Sequence, residues 1–152
     1  MIRDLRELRD LIGDARARND PAALTAGIPY ATFMGISAEL IDGHVRGVMS
    51  YSPHLIGNSA LPALHGGTLG ALLELTAMIQ ILWESETVVL PKTINLTVDY
   101  LRSGKPVTTY ARGVIARAGR RVGNVRMEAW QEDPARPIAA AVGNFLLQPV
   151  DP

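Results

Sequence analysis

The spacing of apolar positions changes along the chain, and each change predicts an element. Ile2, Leu5, Leu8 and Ile12 recur at helical spacing, with Arg3–Glu7 and Arg6–Asp10 as opposite-charge pairs four residues apart. This predicts an amphipathic helix ending near Gly13 or before Pro21, its alternating charges forming a solvated face. "GISAELIDGHVRGVMSY" holds two extended runs about Asp42-Gly43, a dipeptide suited to the tight turn of a β-hairpin. "SPHLIGNSALPALHGG", rich in Pro, Gly, Asn and Ser, predicts a loop. From Thr68 to Trp83 the chain is apolar with a single charge, Glu74, predicting one helix limited downstream by Pro91. The period then becomes two. In "KTINLTVDYL", Ile94, Leu96, Val98 and Tyr100 alternate with Thr93, Asn95, Thr97 and Asp99, the pattern of a half-buried strand. Val107–Ala118 and Arg121–Glu132 predict two more strands about a Gly119-Arg120 turn, and Ile138–Leu147 a last one.

A helix apolar on nearly every face must be enclosed. One sheet covers one side of it, so the pattern predicts an α+β fold in which a curved antiparallel sheet wraps one long central helix. A second copy of the chain is expected to close the other side. The chain reads as a single domain over 1–152, with an N-terminal helical extension over 1–20 and a core over 28–148, and without repeats or an internal linker.

Fifteen basic and fifteen acidic residues cancel, so no global field recruits nucleic acid or an anionic membrane surface. The absence of cysteine removes disulfides, thiolate catalysis and Cys-ligated metals, and agrees with a reducing compartment. The N-terminal twenty residues mix acids with arginines and lack an apolar core, unlike a signal or transit segment. The one long apolar run carries Gly70, Glu74 and Gln80 and is short for a membrane span. The expectation is a cytoplasmic protein.

Burying a lone carboxylate is costly, so Glu74 calls for a reason. It is either a structural acid satisfied by a neighbour or a partly desolvated general base or nucleophile. Nine residues before it stands His65, followed by Gly66 and Gly67. Two glycines at a helix start let backbone approach a ligand, and unpaired first-turn N–H groups with the helix dipole can hold an oxyanion. A plain loop-to-helix turn is the alternative. Gly66 and Glu74 are separated by about 12 Å along one helix at 1.5 Å per residue. One chain therefore does not set both on one reacting carbon, whereas antiparallel helices of two chains do.

Through "IPYATFMGI", "NSALPALHGGTLGALLELTA", "TINLTVDYLRSGKP" and "GRRVGNVRMEAW", roughly Ile28 to Gln148, the sequence resembles the hotdog-fold acyl-CoA thioesterases of the phenylacetate-degradation and 4-hydroxybenzoyl-CoA type. The resemblance implies that Gly66 N–H polarises the thioester carbonyl and that Glu74 of the partner subunit attacks it or activates water. It further implies that His65 organises the loop, Thr93 positions water, and Asn58 contacts the thioester, with Gly67 and Ser59 beside it. Arg102, Arg120 and Arg121, like Lys105, sit at predicted turns where CoA phosphates could meet them. The expected substrate is a small acyl- or aryl-CoA, its CoA part of the substrate, with no metal or other cofactor. The expected assembly is a homodimer, or a dimer of dimers, with no nucleic-acid or membrane partner. Leu72, Leu73 and Ile79 are expected to line a pocket for neutral acyl groups. Three departures stand out. Most phenylacetate-type members carry Asp at the acid, Asn58 lies seven rather than six residues before His65, and Ala77 stands where Glu-bearing members have Thr. A non-catalytic hotdog dimer that binds a thioester or a protein is the alternative.

Overall fold

The computed structural model describes residues 4–85, 87 and 89–147; Ile2 and Arg3 of the predicted first helix, and position 148 of the expected core, lie outside them. Helix α1 (Leu5–Ala17) starts at Asp4, whose carboxylate accepts the N–H groups of Arg6 and Glu7 at 2.8 and 2.9 Å. That satisfies two donors that a helix start leaves without partners. The helix runs through Gly13 and stops before Pro21, the later of the two predicted ends. Two helices of five and six residues follow, α2 (Ala22–Ala26) and α3 (Pro29–Met34), too short for apolar periodicity to announce.

Strands β1 (Ile36–Ile41) and β2 (His44–Met49) form the predicted hairpin, with Asp42 at φ 52° and Gly43 at φ 80°, as a tight turn of this kind requires. The segment expected to be a loop is partly ordered instead. It holds a 3-10 turn at Pro53–Leu55 and a small ribbon of β3 (Ile56–Asn58) and β4 (Ala63–Leu64). Helix α4 (Gly66–Glu84) begins two residues before the predicted Thr68 and takes in both glycines. Strands β5 (Lys92–Tyr100), β6 (Thr109–Ala118), β7 (Val122–Trp130) and β8 (Ala139–Leu146) complete an antiparallel sheet of order β1-β2-β6-β7-β8-β5. The α+β class, the sheet around one long helix and the N-terminal helix are as expected.

Two apolar clusters hold α4. The larger joins Leu72, Leu73 and Leu75 to Met49, Val125, Met127 and Phe145 of the sheet. The second sets Leu8, Ile12, Ala15 and Leu24 of α1 and α2 against Ile79 and Leu82, with Ala38 and Val45. The side of α4 assigned from the sequence to a second copy is thus covered, over its C-terminal half, by the chain's own N-terminal helices. The Arg16 guanidinium reinforces this layer by donating to the carbonyls of Leu82 and Ser85, acceptors that the end of α4 leaves open. By length and composition α4 passes for a membrane span, yet 61% of its apolar window is buried within the fold, as befits a core helix.

Between Gly66 and Met78 the positions of α4 that are not buried are Gly66, Gly67, Gly70, Glu74 and Met78. All but Gly67 fall four residues apart, so they form one open stripe along the helix. Strand β5, at the sheet edge, touches that stripe. Its expected simple alternation is broken. Thr93 pairs with Phe145 and Asn95 with Asn144, so Ile94 is an extra residue in a β-bulge. The bulge reverses the parity. Thr93 faces α4 along with Leu96 and Val98, while Ile94 is left 52% exposed.

Candidate active site

The start of α4 is built from successive pinned peptides. His65 N–H donates to the Leu55 carbonyl at 2.9 Å, tying the residue before the helix to the 3-10 turn. The His65 carbonyl accepts both the N–H of Thr68 at 2.9 Å and its hydroxyl at 2.6 Å. That carbonyl shares a trans peptide with Gly66 N–H, so the N–H is directed the opposite way. It lies in the first turn, where no helical carbonyl precedes it to accept. Gly67 N–H donates to Nδ1 of His65 at 2.9 Å, so the neutral ring carries its proton on Nε2. His65 is therefore the helix cap, and Gly66 N–H has no acceptor among the described residues. The next peptide is held from β5, because the Tyr100 hydroxyl donates to the Gly66 carbonyl at 2.9 Å.

Two turns further along the same stripe, the Thr93 hydroxyl donates to Oε1 of Glu74. This bond exists because the bulge turns Thr93 inward. It orients the carboxylate and leaves Oε2 to accept a proton from elsewhere. The structure thus brings together Glu74 with Thr93, and separately His65 with Gly66, Gly67 and the 3-10 turn.

Asn58 and Ser59 are exposed on the ribbon turn, where Asn58 Oδ1 accepts the Ala60 N–H at 3.0 Å. The ribbon lies against the cap. A Cβ on Gly57 would come within 2.7 Å of His65 Cα, so this approach tolerates only glycine. Thr68 and Tyr100 belong to the site's framework but were not among the residues expected there. A threonine in the first turn after His-Gly-Gly was a usable signal for one; for the other, the alternation of β5 gave the facing, with Leu96 and Val98, but not the contact with Gly66.

A profile of the thioesterase superfamily matches residues 61–138, from the ribbon through β7 to the start of the last strand. The medium/long-chain acyl-CoA thioesterase YigI of Escherichia coli K12 is 31% identical over 134 residues, covering 79% of this chain and 86% of that one. A crystal structure from Chromobacterium violaceum superposes with a TM-score of 0.71 at 38% identity, covering 92% of this chain and 98% of the other. One from Shewanella oneidensis, described as related to the thioesterase superfamily, gives 0.73 at 26% identity, covering 90% and 97%. The chain belongs to the thioesterase superfamily.

In this thioesterase the remaining expected residues fall outside the α4 stripe. Arg120 and Arg121 line an open cleft of about 910 Å³ at the β6–β7 turn, with Arg117, Asn124 and Asn144. Arg102 donates to the Pro137 carbonyl at 2.7 Å, beside a smaller cleft of about 180 Å³ that Lys105 shares. Leu72, Leu73 and Ile79, expected to line an acyl pocket, are 0, 0 and 1% exposed. They face the sheet and the N-terminal helices, because the open side of α4 is the Gly66-Gly70-Glu74-Met78 line and not theirs. Ala77 is also fully buried, so the Thr missing there would have faced the core.

Proposed function

We propose that the protein hydrolyses acyl-CoA thioesters at a site completed by two copies of the chain. Glu74 of one subunit takes a proton from water, and the hydroxide adds to the thioester carbonyl. The resulting oxyanion is received by Gly66 N–H of the other subunit. Collapse of the tetrahedral species breaks the C–S bond, and the departing thiolate takes the proton from Glu74, giving CoA thiol and a carboxylic acid that releases its proton to solvent. The step consumes only water. A cytoplasmic enzyme without metal or redox cofactor accords with this chemistry and with a chain lacking cysteine.

One observation carries the proposal. The open stripe of α4 lies along the edge strand β5, with Tyr100 at Gly66 and Thr93 at Glu74. An antiparallel pairing of two β5 edges about a two-fold axis near Leu96 and Thr97 sets Thr93 of one strand beside the partner's Tyr100. Glu74 then stands opposite the partner's Gly66. The exposed backbone of β5 is a ready partner for such pairing. The names of the relatives point to medium or long acyl chains rather than the small acyl or aryl groups expected from the sequence. Arg117, Arg120 and Arg121 offer the guanidinium groups that CoA phosphates require.

The test is complementation between inactive subunits. Glu74→Gln removes the base, and Gly66→Pro removes the N–H. Mixed dimers of the two should regain activity, since one of their two sites pairs an intact Gly66 with an intact Glu74. Gly66→Ala is the control, because alanine and proline both add a Cβ that meets the Tyr100 ring at 3.0 Å, and only proline deletes the N–H. No recovery after confirmed subunit exchange, or a stable monomer in light scattering, would refute the shared site.

A further inference from the structure

We infer that Tyr100 is a positioning residue for the oxyanion donor, its hydroxyl clamping the Gly66–Gly67 peptide so that Gly66 N–H keeps its aim. The inference rests on the proposal that Gly66 N–H receives the oxyanion. Glycine pairs have the widest backbone freedom of any dipeptide, so a donor placed on them needs outside restraint. The Gly66–Gly67 peptide is gripped at both ends. Its carbonyl accepts the Tyr100 hydroxyl at 2.9 Å, and its N–H donates to His65 Nδ1 at 2.9 Å. The preceding peptide is gripped at its carbonyl by Thr68. Gly66 is therefore held on both sides, and among the described residues Tyr100 is the one grip that reaches it from another element.

The tyrosine has little else to do in the chain. It is 56% exposed, and its ring lies over the bare backbone of α4. A Cβ on Gly66 would meet two ring carbons at 3.0 and 3.1 Å and the hydroxyl at 3.3 Å, and one on Gly70 would meet the hydroxyl at 4.0 Å. Gly66 is thus required for the tyrosine's approach as well as for the ligand's. Since β5 is the edge expected to pair across the dimer, the clamp also ties the donor's aim to the seating of that edge.

The experiment is steady-state thiol release by the full chain with Tyr100→Phe, Gly66→Ala and the double variant, on a medium-chain acyl-CoA. Tyr100→Phe keeps the ring and deletes the hydroxyl. Loss of one neutral hydrogen bond that aims a transition-state donor should lower kcat about tenfold. KM should stay within about twofold, because the ground-state thioester gains little from the donor. Gly66→Ala keeps the N–H but pushes the ring away, so its loss should be similar, and the double variant should be no worse than the poorer single one. A wild-type kcat in Tyr100→Phe, a change in KM alone, losses that multiply in the double variant, or a fall in melting temperature without a fall in kcat would each overturn the clamp. Failure of the underlying proposal reads differently. In that case Gly66→Pro would be as active as Gly66→Ala, whereas an inactive Gly66→Pro beside an unaffected Tyr100→Phe would sink the clamp alone.

Discussion

Glu74→Gln separates a working carboxylate from a structural one. In the chain the Glu74 carboxylate is partly buried on the open stripe of α4, and Thr93 is its hydrogen-bond donor. Glutamine is isosteric and keeps an oxygen for that bond, so the local geometry survives. The bond itself weakens, from about 1.5–3 kcal/mol for a charged acceptor to about 0.5–1.5 for a neutral one. Removal of a partly desolvated charge offsets this, and the net change in stability should be within about 1 kcal/mol. For a chain of this size that is about 2–4 °C in melting temperature. Activity should respond on another scale. A general base contributes about 10²- to 10⁴-fold, or about 3–5 kcal/mol of barrier. The assay is thiol release from an acyl-CoA by colorimetric trapping, run beside a thermal melt and light scattering on the same sample. Activity within tenfold of wild type, together with a melting temperature lowered by more than about 4 °C, would make Glu74 a structural acid and refute the base assignment.

Two other changes test the surroundings. Thr93→Val should cost about tenfold in kcat by removing the donor that orients Glu74, and Thr93→Ser should restore most of it; equal activity in Val and Ser variants would deny Thr93 that task. Gly47→Ala should destabilise the fold by about 1–3 kcal/mol, since its Cβ would fall 2.0 Å from the buried Thr76 Oγ1, which a melt can read; an unchanged melting temperature would mean that β2 moves off α4 more easily than close packing allows.

Which parts were legible in the sequence follows from how local each signal is. The hairpin about Asp42-Gly43 was legible because the turn's positive φ values demand such residues. Helix α4 and the strands were legible because their periods run long enough to count. His65 and Glu74 stood out in the sequence because a His-Gly-Gly and an acid in an apolar helix each call for a reason, and the structure sets one at the cap of α4 and the other on its open stripe. What the sequence hid depends on one residue of parity or on contacts distant in the chain. The bulge at Ile94 leaves a plausible alternation in the sequence and still reverses which residues face α4, and that reversal is what delivers Thr93 to Glu74. Tyr100 keeps the facing that the simple alternation gives it, with Leu96 and Val98, so the extra residue is needed for Thr93 alone. The open side of α4 was hidden for a related reason. Its near-uniform apolarity gives no moment to show which face the chain's own N-terminal helices would take. Once α1 and α2 cover Ile79 and Leu82, the uncovered line is the one bearing the glycines and the acid. The N-terminal extension thus does more than add stability. By closing one face of α4 within the chain, it leaves uncovered the line that carries Gly66, Gly70, Glu74 and Met78.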